Sequence, residues 1–343
     1  MTAVTGIAPG PVFGHLLRMT DHRATYQHAL LTVPLREDGY CVDDMARVLV
    51  VATREPETPG ELNGLAGKAL QFLNDGQSYN GACRNRMDKT GRWTDQPTTE
   101  DHWGRCLWAL GTAAAHSDVS LVRRLATIQF ERAAKARSPH PRAMAYAAIG
   151  AAEIVSVEPK HPAALRLLTD YAAIVFARKS DPDWAWPEPR LTYANAVLAE
   201  AMIATGVALQ DTELTQRGLE LLEWLLDFEM ADGHLSPTPA GGRGPQDSRP
   251  AFDQQPIEIA TLADACARAA GVDPRPLWTE AIRSAAAWFQ GDNDSNQVMW
   301  DPETGAGFDG LLDDGVNLDQ GAESTLAVIS TLQQARRFAA VPQ

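Results

Sequence analysis

The chain has 343 residues, of which 45% are hydrophobic and 22% are charged, and this composition excludes a disordered protein. Its formal net charge of −14 disfavours a nucleic acid or an anionic membrane surface as partner, because like charges repel. A neutral or cationic ligand fits better. The length permits one large core, and we expect a single domain over residues 1–343.

The N-terminus and the cysteines indicate a cytoplasmic protein. Residues 1–11 lack a basic segment followed by an apolar one, which argues against a signal peptide, and no apolar run is long enough to span a membrane. The four cysteines, Cys41, Cys83, Cys106 and Cys266, have no C-x-x-C spacing. We therefore expect buried, reduced thiols rather than disulfides.

The helical period dominates the chain, and few segments resemble strands. Predicted helices cover residues 12–29, 42–54, 61–74, 100–115, 120–136, 142–155, 162–178, 192–205, 213–228, 256–270, 274–290 and 320–338. Long loops interrupt them at 76–98, 180–190, 231–251 and 293–317. The first loop contains Asn80-Gly81 and Thr90-Gly91, which predict turns and a short hairpin ending near Trp93.

The predicted helices are of two kinds that alternate along the chain. Those at 42–54, 100–115, 142–155, 192–205, 256–270 and 320–338 are apolar almost all round, so each must be enclosed on every side. Those between them are amphipathic and belong to an outer layer. Six inner helices, five outer helices and the N-terminal helix as the twelfth predict an all-α fold, an (α/α)6 toroid or six-hairpin barrel with long loops at one mouth. An open solenoid and an irregular bundle are the alternatives.

The inner helices of such a ring all run the same way, so their polar first turns meet at one mouth. The positive ends of the helix macrodipoles there stabilise carboxylates in their charged form. We predict that this mouth collects a set of acidic, amide, arginine and other polar residues that bind the substrate: Asp43, Arg47, Glu100, His102, Arg105, Tyr193, Asn195, Asp253, Gln254, Gln255, Gln320 and Glu323.

A carbohydrate is the ligand that this mouth suits best. Each sugar hydroxyl can donate to a carboxylate and accept from an arginine or an amide. Trp93, Trp184 and Trp186 lie in loops on the same side, and we expect their flat apolar rings to contact the C–H faces of sugar rings.

Glycoside hydrolysis needs one protonated and one ionised carboxyl group. Neighbouring residues on a helix point about 100° apart, so the working pair should span two helices rather than combine Asp43 with Asp44. We predict Asp44 and Asp101 as the catalytic pair, with Glu258 as a third candidate. Arg47 and Arg105 would hold one carboxylate ionised.

Each of these residues also has a structural interpretation. Acids in a first helical turn commonly serve as caps, and an acid four residues before an arginine forms an ordinary helix-surface pair. His102 is more often a helix-cap residue than a base. The histidines and cysteines show no metal-ligand spacing, so we expect neither a metal nor another cofactor.

Several segments of the chain resemble a group of bacterial proteins encoded beside, or fused to, glycosyltransferases and mannoside phosphorylases. The resemblance rests on residues 93–111, Leu191-Thr192-Tyr193, the stretch from Phe252 to Glu258, residues 305–311 and residues 316–326, and it runs through nearly the whole chain. It implies an (α/α)6 fold related to six-hairpin glycoside hydrolases and carbohydrate epimerases. One position departs from the pattern: Ala194 replaces the aspartate of Leu-Thr-Tyr-Asp-Asn, so no role for that acid is carried over.

The sequence therefore predicts a carbohydrate-active enzyme, specifically a glycoside hydrolase acting on an oligosaccharide by carboxylate acid–base catalysis. Oligosaccharides of mannose or glucose are the substrates to test. A sugar epimerase or isomerase is the first alternative, but that chemistry usually uses a pair of histidines and the sequence places only His102 at the mouth. A non-catalytic glycan-binding partner of a glycosyltransferase is the second.

Overall fold

The computed structural model describes residues 9–56, 60–176 and 184–339. Within these ranges the chain forms twelve α-helices: α1 (Gly14–Arg18), α2 (Val42–Arg54), α3 (Gly60–Gly76), α4 (Asp101–His116), α5 (Ser120–Ala133), α6 (Pro141–Val157), α7 (Pro162–Phe176), α8 (Ala196–Leu209), α9 (Thr212–Glu229), α10 (Pro256–Ala270), α11 (Pro276–Phe289) and α12 (Ala322–Arg337).

Four two-stranded antiparallel sheets lie in the loops between the helices. Their strands are β1 (Ala29–Leu30), β2 (Val33–Pro34), β3 (Tyr40–Cys41), β4 (Arg86–Met87), β5 (Met230–Ala231), β6 (His234–Leu235), β7 (Gly310–Leu311) and β8 (Val316–Asn317). The sheets pair β1 with β2, β3 with β4, β5 with β6, and β7 with β8. The predicted hairpin is present, since Met87 bridges to Trp93 across a turn that contains Gly91.

The even-numbered helices from α2 to α12 form a closed inner ring. Each contacts the next, and α12 contacts α2, while α3, α5, α7, α9 and α11 each pack outside the inner helix that precedes them. The inner helices are buried on nearly all sides. The predicted (α/α)6 toroid is confirmed, because contact between α12 and α2 closes the ring and excludes an open solenoid.

Helices α4 and α6 approach more closely than helices with larger side chains could. A Cβ atom added to Gly111 would overlap the backbone of Gly150, and one added to Gly104 would overlap the backbone of Ala143. The absence of side chains at these points brings the two helix backbones together. As a result the first turns of α4 and α6 form one continuous wall of the ring.

The N-terminal segment differs most from the prediction. The predicted helix over 12–29 is wrong, because α1 ends at Arg18. This short helix packs against α12 and takes the place of the predicted N-terminal helix. The Asp21 carboxylate accepts the backbone N–H groups of Arg23 and Ala24, at 2.7 and 3.1 Å. Such side-chain capping of a turn competes with helix hydrogen bonds, and the chain reverses there.

Helix α8 begins four residues later than predicted, at Ala196 instead of residue 192. Ala194 has a φ of 44°, a left-handed conformation that a right-handed helix does not accommodate. The preceding residues are therefore irregular and free to contact neighbouring helices. The end of the helix predicted over 162–178 and the start of the 180–190 loop lie outside the described residues, as do residues 1–8 of the predicted leaderless N-terminus.

Two further expectations concern the cysteines and the membrane. All four cysteines are buried and unpaired, which confirms the prediction of reduced thiols. Among the described residues, none of the helices combines the length and the apolar character that crossing a bilayer requires.

Candidate active site

Hydrogen bonds between first turns show that the N-termini of the inner helices share one mouth. Arg47 on α2 binds Glu323 on α12 at 2.6 Å, and Arg105 on α4 binds Asp43 on α2 at 2.7 Å. At the other side of the ring, Glu258 on α10 accepts hydrogen bonds from the residues that precede α8. The predicted gathering of acidic first turns is therefore what the structure shows.

An open cavity of about 450 Å³ lies at this mouth, between the first turns of α2, α4 and α6 and the loop before α8. Its lining is polar and charged: Asp43, Asn85, Glu100, Asp101, His102, Arg105, His140, Pro141, Arg142 and Tyr193. A cavity of this size falls in the range of small-molecule sites. Two of its acids, Asp43 and Asp101, come from adjacent inner helices.

Asp43 is the ionised carboxylate of the cavity. Arg105 donates to one of its oxygens at 2.7 Å, and the Asn85 amide donates to the other at 2.9 Å. Burial by itself would raise the pKa of Asp43, but Arg105 and then Arg47 outweigh burial and lower the pKa to about 2. Asp43 is thus negatively charged at every pH at which the protein is expected to work.

The pKa of Asp101 is shifted in the opposite direction to that of Asp43. It is half-buried at the first position of α4, and no residue in the described ranges donates a hydrogen bond to its carboxyl group. Burial raises the pKa of Asp101 and the charge of Asp43 raises it further, while Arg105 opposes both. The cavity therefore holds one carboxyl group whose pKa is raised beside another whose pKa is lowered.

Asp44, predicted as catalytic, points away from the cavity. Its oxygens accept hydrogen bonds from Arg47 at 2.8 Å and from the Cys41 thiol at 3.0 Å, and the residue is only 5% exposed. Arg47 also forms an ion pair with Glu323, whose side chain is 44% exposed at the mouth. Asp44 therefore holds Arg47 in place rather than facing a ligand, and burial raises its pKa against the effect of Arg47.

Glu258, the third catalytic candidate, connects α10 to the residues that precede α8. It accepts from the backbone N–H groups of Ala194 and Asn195, at 2.5 and 3.2 Å, and from the Asn195 amide at 3.1 Å. Burial raises the pKa of Glu258 to about 8, although these N–H groups oppose the shift. Both oxygens are occupied, so the contacts favour a positioning role for Glu258 and for the fully buried Asn195.

Arg142 anchors the rim of the cavity next to Tyr193. Its guanidinium donates to the Glu188 carboxylate at 2.8 Å, to the Tyr193 carbonyl at 2.6 Å and to the Asn195 amide oxygen at 3.1 Å. The Tyr193 ring lies over the guanidinium at 5.0 Å and is 38% exposed. Tyr193 therefore offers the cavity an aromatic surface in a fixed position.

Four residues that line the cavity were not among the predicted site residues: Asn85, His140, Pro141 and Arg142. His140 and Arg142 flank Pro141, the first residue of α6, whose first turn carries no acid. The sequence analysis selected no residue from this helix, and selecting the polar residues at the start of every inner helix would have found both. Asn85 follows from no local pattern, because it reaches Asp43 from the loop between α3 and α4.

The predicted tryptophans do not line the cavity. Trp186 is 3% exposed and stacks on Trp224, and Trp184 contacts the edge of the same ring at 5.0 Å. Trp93 packs against Phe72 at 5.1 Å. Aromatic packing accounts for all three, so the structure gives no support to their predicted contact with a sugar.

The remaining predicted residues are divided between the cavity and the structure around it. His102 lines the cavity, and its Nε2 lies 2.8 Å from the Cys83 carbonyl. Gln254 is fully buried and donates to Asp294 at 2.6 Å. Other members of the predicted set lie at the mouth without lining this cavity: Asp253 and Gln255 are half-buried beside the start of α10, and Gln320 is buried before α12.

The described residues include no group of three His, Cys, Asp or Glu side chains arranged to hold a metal ion. Fold and site together define the class of protein: an (α/α)6 toroid with a polar cavity at the N-terminal ends of its inner helices, lined by three carboxyl groups, those of Asp43, Glu100 and Asp101.

Comparison with known proteins agrees with this class. No family model matches the sequence, and no curated protein does. Among solved structures, the chain is similar to a sugar epimerase from a ruminal bacterium, with 14% identity and a TM-score of 0.70 over 96% of this chain and 97% of that one. It is also similar to cellobiose 2-epimerase from Spirochaeta thermophila, with 12% identity and a TM-score of 0.67 over 96% and 94%.

A third similar structure is an α-1,6-mannanase from Salegentibacter sp., with 10% identity and a TM-score of 0.66 over 95% of this chain and 98% of that one. That protein is an inactive variant in which two consecutive aspartates are replaced by alanine, in complex with α-1,6-mannotetrose. At these identities the three likenesses show the shared fold.

Proposed function

We propose that the protein is a carbohydrate-active enzyme that hydrolyses glycosidic bonds, with Asp101 as the general acid and Asp43 as the ionised carboxylate. The observation that carries the proposal is the opposite pKa direction of these two groups in one cavity. Two carboxyl groups whose surroundings push their pKa values apart are the arrangement that glycoside hydrolysis uses.

The steps follow from this assignment. Asp101 donates its proton to the glycosidic oxygen as the bond to the anomeric carbon breaks. Asp43 either attacks that carbon or accepts a proton from the water that attacks it, and the stereochemistry of the product distinguishes these routes. Arg105 keeps Asp43 ionised, and Tyr193 offers a ring face to the sugar.

The similar mannanase supports the class of substrate and the involvement of consecutive acids. It binds an α-1,6-linked mannose oligosaccharide, and its inactive form lacks two consecutive aspartates. This chain has consecutive acids at Asp43-Asp44 and at Glu100-Asp101. In the first pair only Asp43 lines the cavity, whereas both members of the second pair do.

The test is a screen of manno- and gluco-oligosaccharides, α-1,6-linked mannose included, followed by NMR to identify the anomer released. We expect Asp101→Asn to bind substrate normally while turnover falls by about 10²- to 10⁴-fold. Asp170→Asn is the matched control, because Asp170 is an exposed acid that pairs with Arg137 on the surface. Release of sugar by Asp101→Asn at the wild-type rate would overturn the assignment.

A sugar epimerase is the second candidate, and one observation favours it. The cavity contains two histidines, His102 and His140, where the sequence placed only one. His140 is exposed, which suits a group that exchanges protons with a substrate. Incubating cellobiose and mannose with the protein in D2O tests this reading, since epimerisation through proton exchange would introduce deuterium next to the carbonyl carbon and would be lost in His140→Ala.

The glycan-binding alternative is separated by the same screen. A binding protein would retain oligosaccharides without releasing or epimerising any of them, and Asp101→Asn would change neither property.

A further inference from the structure

Tyr146 is the only aromatic residue of α6, and the proposed hydrolysis assigns it no role. Its side chain is buried, with 2% of the residue exposed. Along α6 it lies between Ala143 and Gly150, two points at which the backbones of α4 and α6 come too close for an added Cβ atom. The close packing of these two helices therefore fixes the position of the Tyr146 ring beside α4.

The Tyr146 ring belongs to a column of stacked groups that crosses the ring of helices. The guanidinium carbon of Arg105 lies over the Tyr146 ring, 4.9 Å from its centroid. The Trp108 and Tyr146 rings have centroids 5.4 Å apart. Arg54 lies over Trp108 at 5.7 Å, at the opposite mouth of the ring, where the inner helices end (the C-terminal mouth). Trp108 thus supports the aromatic ring on which Arg105 rests.

The Arg105 side chain is held by Asp43 and by this ring. Arg105 donates to Asp43 at 2.7 Å, whereas its Nε is buried without a hydrogen-bond acceptor in the described part of the chain. The same side chain lines the open cavity of about 450 Å³, into which a long flexible side chain could turn. A cation is attracted to an aromatic face, most strongly where water is excluded, and Arg105 is 5% exposed. The ring therefore favours the orientation in which Arg105 reaches Asp43.

Tyr146 can do this as a neutral group in one fixed position. Burial raises the pKa of the Tyr146 hydroxyl, although the charges of Arg105 and Arg47 oppose the shift, so the phenol does not compete with Asp43 as an anion. A cavity of about 30 Å³ adjoins the Tyr146 and Trp108 rings. That volume is room for a water molecule but not for a second position of either ring.

We propose that Tyr146 is a positioning residue, whose ring face holds the Arg105 guanidinium against Asp43 so that this carboxylate keeps both its charge and its direction. Tyr146 acts through Arg105 and does not touch the sugar. Its effect on turnover rests on the proposed hydrolysis, but its effect on Asp43 can be measured without any substrate.

The first test follows the titration of Asp43 by ¹³C NMR, in protein labelled at the side-chain carboxyl carbons of aspartate. The Asp43 signal is identified by its absence in Asp43→Asn. In the wild type the pKa of Asp43 is about 2. In Tyr146→Leu we expect Arg105 to turn towards the cavity and the pKa of Asp43 to rise to about 4 or higher, because burial then meets less opposition. An unchanged titration of Asp43 in Tyr146→Leu would overturn the proposal.

Two further variants separate the ring from other effects. Tyr146→Phe keeps the ring face, so the pKa of Asp43 should stay at about 2, and a rise equal to that in Tyr146→Leu would overturn the role of the ring. Tyr79→Leu is the matched control and should leave Asp43 unchanged. Tyr79 is 90% exposed, and its ring contacts Lys135 at 5.0 Å outside the lining of the cavity.

If Tyr146→Leu does not fold, a series of fluorinated rings decides the question. Replacing Tyr146 by phenylalanines with increasing numbers of fluorine atoms keeps a ring of similar shape and weakens its attraction for a cation. The pKa of Asp43 should rise with the number of fluorine atoms. No rise across the series would overturn the proposal.

The second readout is turnover on the best substrate of the screen. Tyr146→Leu should lower kcat by about tenfold or more and change KM by less than about twofold, because a misdirected carboxylate slows the reaction while the sugar contacts remain. Wild-type kcat in Tyr146→Leu would overturn the positioning role in catalysis. If the wild-type protein releases no sugar, the proposed hydrolysis fails, and the titration of Asp43 still decides whether Tyr146 positions Arg105.

Discussion

Carboxylates lie at both mouths of the ring, but the helix macrodipoles favour their negative charge at one mouth and oppose it at the other. At the N-terminal mouth, Asp43 and Asp101 lie in first helical turns, where the macrodipole favours negative charge, and Asp101 has no ion-pair partner within the described part of the chain. At the C-terminal mouth the dipoles oppose negative charge, and the buried Glu153 and Asp264 are each paired with a half-buried arginine. The direction of the helices therefore leaves a reactive acid free at one end and requires compensated acids at the other.

The largest expected effect is on turnover, and it should distinguish Asp43 from its neighbour Asp44. Asp43→Asn removes the ionised carboxylate of the cavity, and we expect turnover to fall by about 10³-fold or more. Asp44→Asn leaves that carboxylate in place, so its turnover should fall much less. The measurement is kcat on the best substrate of the screen, with circular dichroism as the folding control. Equal losses for the two variants would remove the distinction between them.

At the C-terminal mouth, Arg268→Met should act on stability. It leaves Glu153 and Glu200 buried without their cation, and breaking such a pair costs about 3–5 kcal/mol. Denaturant unfolding checks this. Arg137→Met is the matched control, because Arg137 pairs with an exposed acid on the surface, and the loss there should be about 1 kcal/mol or less. A small loss of stability in Arg268→Met would mean that water already screens the charges of Glu153 and Glu200.

A substitution in the close contact between α4 and α6 should have a smaller effect on stability. Gly150→Ala would place a methyl group against the backbone of α4 at Leu107. We expect a loss of about 1–3 kcal/mol from overpacking, with some loss of activity because α4 and α6 separate. Gly64→Ala, where a Cβ meets no neighbour, is the control and should be neutral or stabilising by about 1 kcal/mol. Unchanged stability in Gly150→Ala would contradict the close approach.

The last prediction concerns the effect of Glu258 on the pH dependence of stability, which is small for each pH unit. Its pKa is raised from 4.5 to about 8, so the folded state binds a proton that the unfolded state has lost in this range. Stability should therefore fall as pH rises from about 5 to 8, by at most about 1.4 kcal/mol per pH unit through this group. Unfolding curves across this range measure the slope. Glu258→Gln should be less stable but lose this slope, and an unchanged slope would assign it to another group.

The site could be predicted from the sequence only in part. Acidic first turns on successive inner helices predicted a shared mouth, and Asp43 and Asp101 from two of these turns line one cavity there. The choice of Asp44 over Asp43 could not be made, because helical spacing fixes the angle between neighbours but not which of them faces inward. Arg47 and the Cys41 thiol, each three residues from Asp44, hold it by local contacts, but the rotation of α2 in the ring decides which of the two acids faces the cavity.

The alternation of apolar and amphipathic helices by itself determined the toroid, because a helix that is apolar all round must be enclosed and six such helices can close a ring. Tertiary structure alone decided the pKa of Asp43, since Arg105 reaches it from a distant part of the chain. It also decided that the tryptophans pack on one another and that charge gathers at the C-terminal mouth. Each of these outcomes depends on distances between segments that are remote in sequence, and local patterns carry no information about such distances.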